Sequence, residues 1–166
     1  MVIVGIDPGS RALGYGVIEI HGKKFKYIDS GVFRYEKEKN LFNRLNLIHT
    51  HGQELAKSYQ PDFISVESLI YVKSVPSLAK LAQARGAILG AFGEKYIDKI
   101  FEYSPNQIKS SVSGFGHSSK EGIQKAVQLI LGVSKFATHD ESDALAVALC
   151  HALFMPTIQR KPGLRL

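Results

Sequence analysis

Apolar and polar positions along this chain change their period several times, and each change marks an element. Val2, Ile3, Val4 and Ile6 form a near-continuous apolar run, the pattern of a strand covered on both faces. Asp7-Pro8-Gly9-Ser10 then interrupts it, because Pro8 lacks a backbone donor and Gly9 permits positive φ. Tyr15, Val17, Ile18 and Ile20 restart a strand, and Phe25 to Tyr35 reads as a third, so the chain opens as an antiparallel meander. Over residues 41–59 the period becomes helical: Leu41, Leu45, Ile48 and Leu55 share a face, Asn40 is placed to cap, and Pro61 stops continuation. Phe63 to Val66 is a fourth strand that ends in Glu67. If it returns parallel to the first strand, the crossover sets Glu67 beside Asp7.

Ser68 to Pro76 reads as a loop and Ser77 to Tyr96 as a helix with small residues at three- or four-residue steps: Ala79, Ala82, Gly86, Gly90 and Gly93. Each glycine costs a helix roughly 1 kcal/mol, so close approach of another element is the expected compensation. Packing on the chain's own sheet and packing in a dimer interface weigh equally. Phe101 to Tyr103 is a last short strand, and Ser104-Pro105 opens a helix with a serine cap and proline in the first turn. Ser110 to Ser119, containing Gly114-Phe115-Gly116-His117, reads as a loop. Ser118 or Ser119 followed by Glu121 starts another helix, with Ile123, Val127 and Ile130 or Leu131 on its core face. The final element begins at Thr138-His139-Asp140-Glu141-Ser142-Asp143 and runs, apolar nearly all round, to about Phe154. Such a helix is buried.

At 166 residues the chain makes one domain of ordinary size. A single cysteine, Cys150, forms no intrachain bridge, and no signal-peptide pattern or spanning apolar stretch is present, so a cytoplasmic, non-membrane protein is expected. Net charge is +6, from 21 Lys and Arg against 15 Asp and Glu, an excess that serves solubility or attracts polyanions such as nucleic acid. Residues 156–166, with Arg160, Lys161 and Arg165, read as a loose basic tail on a domain of residues 1–155.

The acids change the picture. Asp7 and Glu67 each end an apolar strand, and Asp140 and Asp143 share a face where a buried helix begins. Taken singly each has an ordinary explanation; Thr138 with Glu141 fits a capping box, and acids suit a helix amino end. Asp143, next to the most apolar part of the chain, is not covered by it. Four converging carboxylates repel unless divalent cations neutralise them, and oxygen donors without thiolates favour Mg²⁺ or Mn²⁺ over Zn²⁺. Such a set suits two-metal phosphodiester hydrolysis.

The segments IVGIDPGSRALGYGVI, PDFISVESLIY, LAKLAQARG and HDESDALAVALCHALF, in that order from residue 1 to about 154, together resemble the RuvC family of bacterial Holliday-junction resolvases. The resemblance implies an α/β, ribonuclease H-like fold: a mixed five-stranded sheet, antiparallel meander plus parallel strands, flanked by helices on both faces. It implies Asp7, Glu67, Asp140 and Asp143 as catalytic, metal-binding acids holding two Mg²⁺ ions, with Mn²⁺ able to substitute. Lys109 and Lys120 match basic positions that serve catalysis and DNA contact, and Arg85 is a further candidate for holding the backbone. Where some relatives place a junction-stacking aromatic, this chain has Ile70, with Tyr71 next. Some relatives have histidine at the Asp140 position; His139 beside it is expected to be an exposed neighbour of the cap.

The implied function is a structure-selective endonuclease of DNA recombination and repair. It would nick a four-way junction symmetrically as a homodimer, working with RuvA and RuvB. The helix around Leu81 to Gly86 corresponds to the dimer-forming region. Two other classes stay open from the residues: an actin-like nucleotide-binding ATPase or kinase domain, whose first phosphate loop resembles the Asp7 hairpin, and a non-catalytic junction-binding module.

Overall fold

Side-chain alternation in the first strand decides how the layers assemble. The computed structural model describes residues 1–69, 74–114 and 119–160. Strands β1 (Val2–Asp7), β2 (Ala12–His21), β3 (Lys24–Arg34), β4 (Phe63–Glu67) and β5 (Ile100–Tyr103) form one sheet in the order β3-β2-β1-β4-β5. β1, β2 and β3 are the antiparallel meander, whereas β4 pairs parallel to β1 and β5 parallel to β4. On β1, Val4 and Ile6 point into one core with Ile48, Leu55, Ala84 and Ile88; Ile3 points into the other with Val127, Leu145 and Leu149. The first core is covered by α1 (Leu41–Tyr59) and α2 (Val75–Ala91), the second by α3 (Pro105–Ser113), α4 (Lys120–Leu131) and α5 (His139–Arg160). Helices therefore lie on both faces, as expected from the sequence.

The α1 boundaries follow from capping. The Asn40 side chain accepts from the Phe42 and Asn43 backbone N–H groups at 2.8 and 3.2 Å, and Pro61 follows the left-handed Gln60. The second helix is shifted and shorter than expected from its sequence. It starts at Val75, because Ser74 supplies the cap and Pro76 is tolerated in a first turn whose N–H groups have no helical partner. It ends at Ala91, since Gly93 adopts φ +69°, and residues Glu94–Lys99 form a separate 3-10 helix. The small residues that prompted a choice between sheet and dimer packing face neither sheet nor neighbouring helix. Ala79, Ala82, Gly86, Gly90 and Gly93 are exposed, and a Cβ added to any of the three glycines meets nothing within 4 Å. The residues that α2 buries are Ala84, Ile88 and Ala91, of which Ile88 and Ala91 pack against Gly52 of α1.

Ser110 to Ser113, expected in a loop, remain helical. The Ser110, Ser111 and Ser113 hydroxyls donate to carbonyls of the preceding turn, so the serines do not pull the backbone into a turn. α3 ends at Gly114 with φ +78°, and Ser119 caps α4. The last helix runs to Arg160, beyond the end near Phe154 that its apolar run suggested. Among the described residues no helix is long and apolar enough to cross a membrane.

Candidate active site

Strand parity brings the acids together. Ile6 pairs with Val66, so Asp7 and Glu67 leave adjacent parallel strands side by side. Asp7 shares the face of Ile3 and Gly5, and Glu67 that of Phe63 and Ser65, so both carboxylates project toward the α5 layer. α5 delivers Asp140 and Asp143 from its first turns, one helical face apart by three residues. All four acids line one pocket of about 310 Å³, with Lys109 of α3 and Lys120 of α4. Pro105, Ile108, Ile123, Ala146 and Val147 form its apolar wall.

What lets α5 sit this close is a set of missing side chains, a feature the sequence reading passed over. A Cβ on Gly5 would stand 2.1 Å from the Ala144 carbonyl oxygen, and one on Gly16 2.7 Å from Leu145 backbone nitrogen. A Cβ on Gly14, the residue paired with Asp7, would stand 2.4 Å from the Asp140 carbonyl oxygen. Glycine inside an otherwise apolar strand was the available signal of close approach.

The electrostatics are those of anions crowded in a dry place. Burial raises the Asp7 carboxyl to about 7, helped by the negative charges of Glu67, Asp143 and Asp140. Glu67 and Asp143 are also raised, chiefly by burial. Lys120 opposes this for all three, and Lys109 for Glu67. Lys120 Nζ lies 3.6 Å from Asp143 Oδ2. Among the described residues, no three His, Cys, Asp or Glu side chains stand as a ready-made ion cage. Lys120 is paired with one oxygen of Asp143. The donor set nevertheless fits hard divalent cations: four carboxylates, no thiolate in the pocket, and a surplus of negative charge that a cation relieves.

Not every expected residue joins the described lining. Ile70 and Tyr71 lie outside the described residues, as do Phe115, Gly116 and His117. Arg85 is absent from the pocket lining; its side chain is only 13% exposed, and its guanidinium pairs with Glu102 at 2.5 Å. His139 is exposed, as expected, and Glu141 reaches back to the Ala137 N–H at 3.2 Å as a helix-end group outside the pocket.

With this geometry in place, the likeness to known proteins is informative. The family model for crossover junction endodeoxyribonuclease RuvC matches residues 3–151. The chain is 40% identical over 154 residues to crossover junction endodeoxyribonuclease RuvC of Thermosipho melanesiensis, covering 92% of this chain and 98% of that one. It is 43% identical over 155 residues to the corresponding protein of Petrotoga mobilis, covering 93% and 94%. Among solved structures it is similar to T. thermophilus RuvC in complex with Holliday junction substrate, with TM-score 0.85, 30% identity and coverage of 95% and 96%. The yeast mitochondrial Holliday junction resolvase Ydc2, at 14% identity and TM-score 0.70, shares the fold. Family match, near-full-length identity and the carboxylate pocket agree, and the chain belongs to the RuvC family of crossover junction endodeoxyribonucleases.

Proposed function

We propose that this protein resolves Holliday junctions in DNA recombination and repair, cutting two opposed strands by metal-dependent hydrolysis with Asp7, Glu67, Asp140 and Asp143 as the catalytic acids. The observation that carries the assignment of residues is the single pocket in which those four acids, drawn from β1, β4 and α5, meet Lys109 and Lys120. Two Mg²⁺ ions, replaceable by Mn²⁺, would supply activation of the attacking water and neutralisation of the departing oxygen's charge.

The chain's own part is positioning and electrostatics. Asp7 and Glu67 are anchored side by side on hydrogen-bonded neighbouring strands, and the helical face of Asp140 and Asp143 closes the opposite side. Lys109 and Lys120 draw the scissile phosphate toward what is otherwise a repulsive cluster of anions. Water oxygen attacks phosphorus in line as the bond to the 3′ oxygen breaks, leaving a 5′-phosphate and a 3′-hydroxyl that takes up a proton. The apolar wall of Ile108, Ile123 and Val147 keeps bulk water off one side of the pocket, where charge–charge interactions are correspondingly stronger.

A homodimer suits a two-fold substrate, and the exposed small-residue face of α2 supports that assembly by leaving room for another backbone. Partnership with RuvA and RuvB follows from family likeness. The decisive experiment incubates the purified protein with a four-way DNA junction, with and without Mg²⁺, and resolves products on denaturing gels. Paired nicks that require Mg²⁺ are expected. Asp7→Asn is expected to abolish them, a rate loss of at least a thousandfold, while junction binding stays within about threefold; normal cutting by that variant overturns the site assignment.

A further inference from the structure

The end of the sheet that carries Asp7 also carries two loops with charges the catalytic pocket does not use. One is the hairpin loop between β1 and β2, containing Arg11; the other is the β3–α1 connection, residues 35–40, containing Lys37 and Lys39. The two are tied together: the Tyr35 N–H donates to the Arg11 carbonyl at 2.8 Å, just beyond the Ala12–Arg34 pair that closes the β2–β3 ladder.

Arg11, together with the β3–α1 connection and its flanking residues Arg34 and Arg44, sets five cations against Glu36 and Glu38. Glu36 lies 3.7 Å from Arg34, and Glu38 is taken up by the start of α1, accepting from the Asn40 N–H at 2.7 Å and from Asn43 Nδ2 at 3.3 Å. Arg11, Lys37 and Lys39 are exposed and, among the described residues, have no ion-pair partner. The connection is also built rather than loose. Arg44, 8% exposed, lies beneath it, donates Nη1 to the Glu38 carbonyl at 3.0 Å, and leaves Nε buried without a partner. A buried guanidinium adds positive potential under a surface that already carries three free cations. Phe42, 77% exposed in the first turn of α1, sets an aromatic ring at the same end. Cations interleaved with an exposed aromatic suit a nucleic-acid backbone and its bases.

Position completes the case. Asp7 lies opposite Gly14 and Gly14 opposite Val32, so β3 is two strands across the sheet from Asp7. At about 4.8 Å per strand spacing this is roughly 10 Å, about the rise of three base-pair steps of ~3.4 Å along a duplex axis.

We propose that Arg11, Lys37 and Lys39 form a second phosphate-binding platform that holds the DNA arm on the β3 side of the catalytic pocket. The inference rests on the resolvase reading and extends it to how the arm flanking the cut is held. The platform reads no sequence; it sets register and orientation through phosphates. It affects how tightly the junction is bound rather than how fast a bound junction is cut.

The test is junction affinity against salt for the full chain, using an immobile four-way DNA junction with Ca²⁺ in place of Mg²⁺, and single-turnover cutting at saturating protein in Mg²⁺. The triple variant R11Q/K37Q/K39Q is compared with K23Q/K24Q/K57Q, which removes the same charge from exposed sites at the opposite end of the sheet. Three lost phosphate contacts are expected to lower the slope of log affinity against log salt by about 2–3 and to weaken binding roughly 10- to 100-fold at 0.1 M salt. Cutting of bound junction stays within about twofold, and the control variant keeps a near wild-type slope. A platform variant whose slope is within about 0.5 of wild type, or a control that loses as much, overturns the proposal while leaving the resolvase reading intact. A wild-type protein that fails to cut junctions overturns the reading and the platform together.

Discussion

Replacing Gly14 with alanine is expected to disable cutting without touching any carboxylate. Gly14 lies directly opposite Asp7 in the β1–β2 ladder, and α5 crosses above it. The added methyl would stand 2.4 Å from the Asp140 carbonyl oxygen, 3.0 Å from its carbonyl carbon and 3.3 Å from its Cβ, whereas ordinary contact begins at 3.4 Å. The obstacle is backbone on both sides, strand below and helix above, so no rotamer relieves it. The amino end of α5 must retreat by about 1 Å, carrying Asp140 and Asp143 away from Asp7 and Glu67. Overpacking of this kind costs about 1–3 kcal/mol, which for a domain of this size lowers Tm by roughly 2–12 °C. A 1 Å misplacement of reacting groups costs on the order of 100-fold in rate. Single-turnover cutting of a four-way junction at saturating Mg²⁺, junction affinity measured separately in Ca²⁺, and calorimetric Tm together isolate the effect. A loss of about 100-fold in rate with affinity within about threefold is expected. A Gly14→Ala protein that cuts within threefold of wild type at unchanged Tm would show that α5 proximity to the sheet does not set the site.

Two further outcomes follow from the same geometry. The Asp7 carboxyl titrates at about 7 in the folded chain but near 4 when unfolded, so between those values the folded state binds more protons and stability falls as pH rises. In chelator-treated protein, Asp7→Asn should therefore match wild type near pH 4 and exceed it at pH 8, by on the order of 2–4 kcal/mol at most; parallel urea-stability curves across that range would refute the burial and charge crowding that raise Asp7. Gly86→Leu fills space that the isolated chain leaves open, so fold and Tm should persist. If the proposed dimer forms through this face, sedimentation should show it weakened by at least tenfold and gels should show single rather than paired nicks; an undiminished dimer excludes this face of α2 as the contact.

Much of the architecture is written locally. Val2 to Ile6, the break at Pro8-Gly9 and the restart at Tyr15 specify a hairpin because buried-strand patterning and turn chemistry act over a few residues. The Asn40 and Ser104 caps and the helical run of α1 are equally local. Glu67 beside Asp7 was also legible, since a parallel return of β4 leaves few alternatives for where its last residue goes. Positions set by competition between elements were not legible. The early end of α2 is fixed by Gly93 adopting positive φ, and the persistence of α3 through its serines by hydroxyls satisfied within the preceding turn. The ion pair of Arg85 with Glu102 of β5 likewise joins elements that no local pattern brings together.

The sequence by itself determined which acids sit at strand ends and on one face of a buried helix, because those are consequences of period and parity. Only the tertiary structure decided how near the helix comes to the strands. That distance depends on glycines of two different strands meeting the backbone of a third element more than a hundred residues away, and no local pattern encodes such a fit.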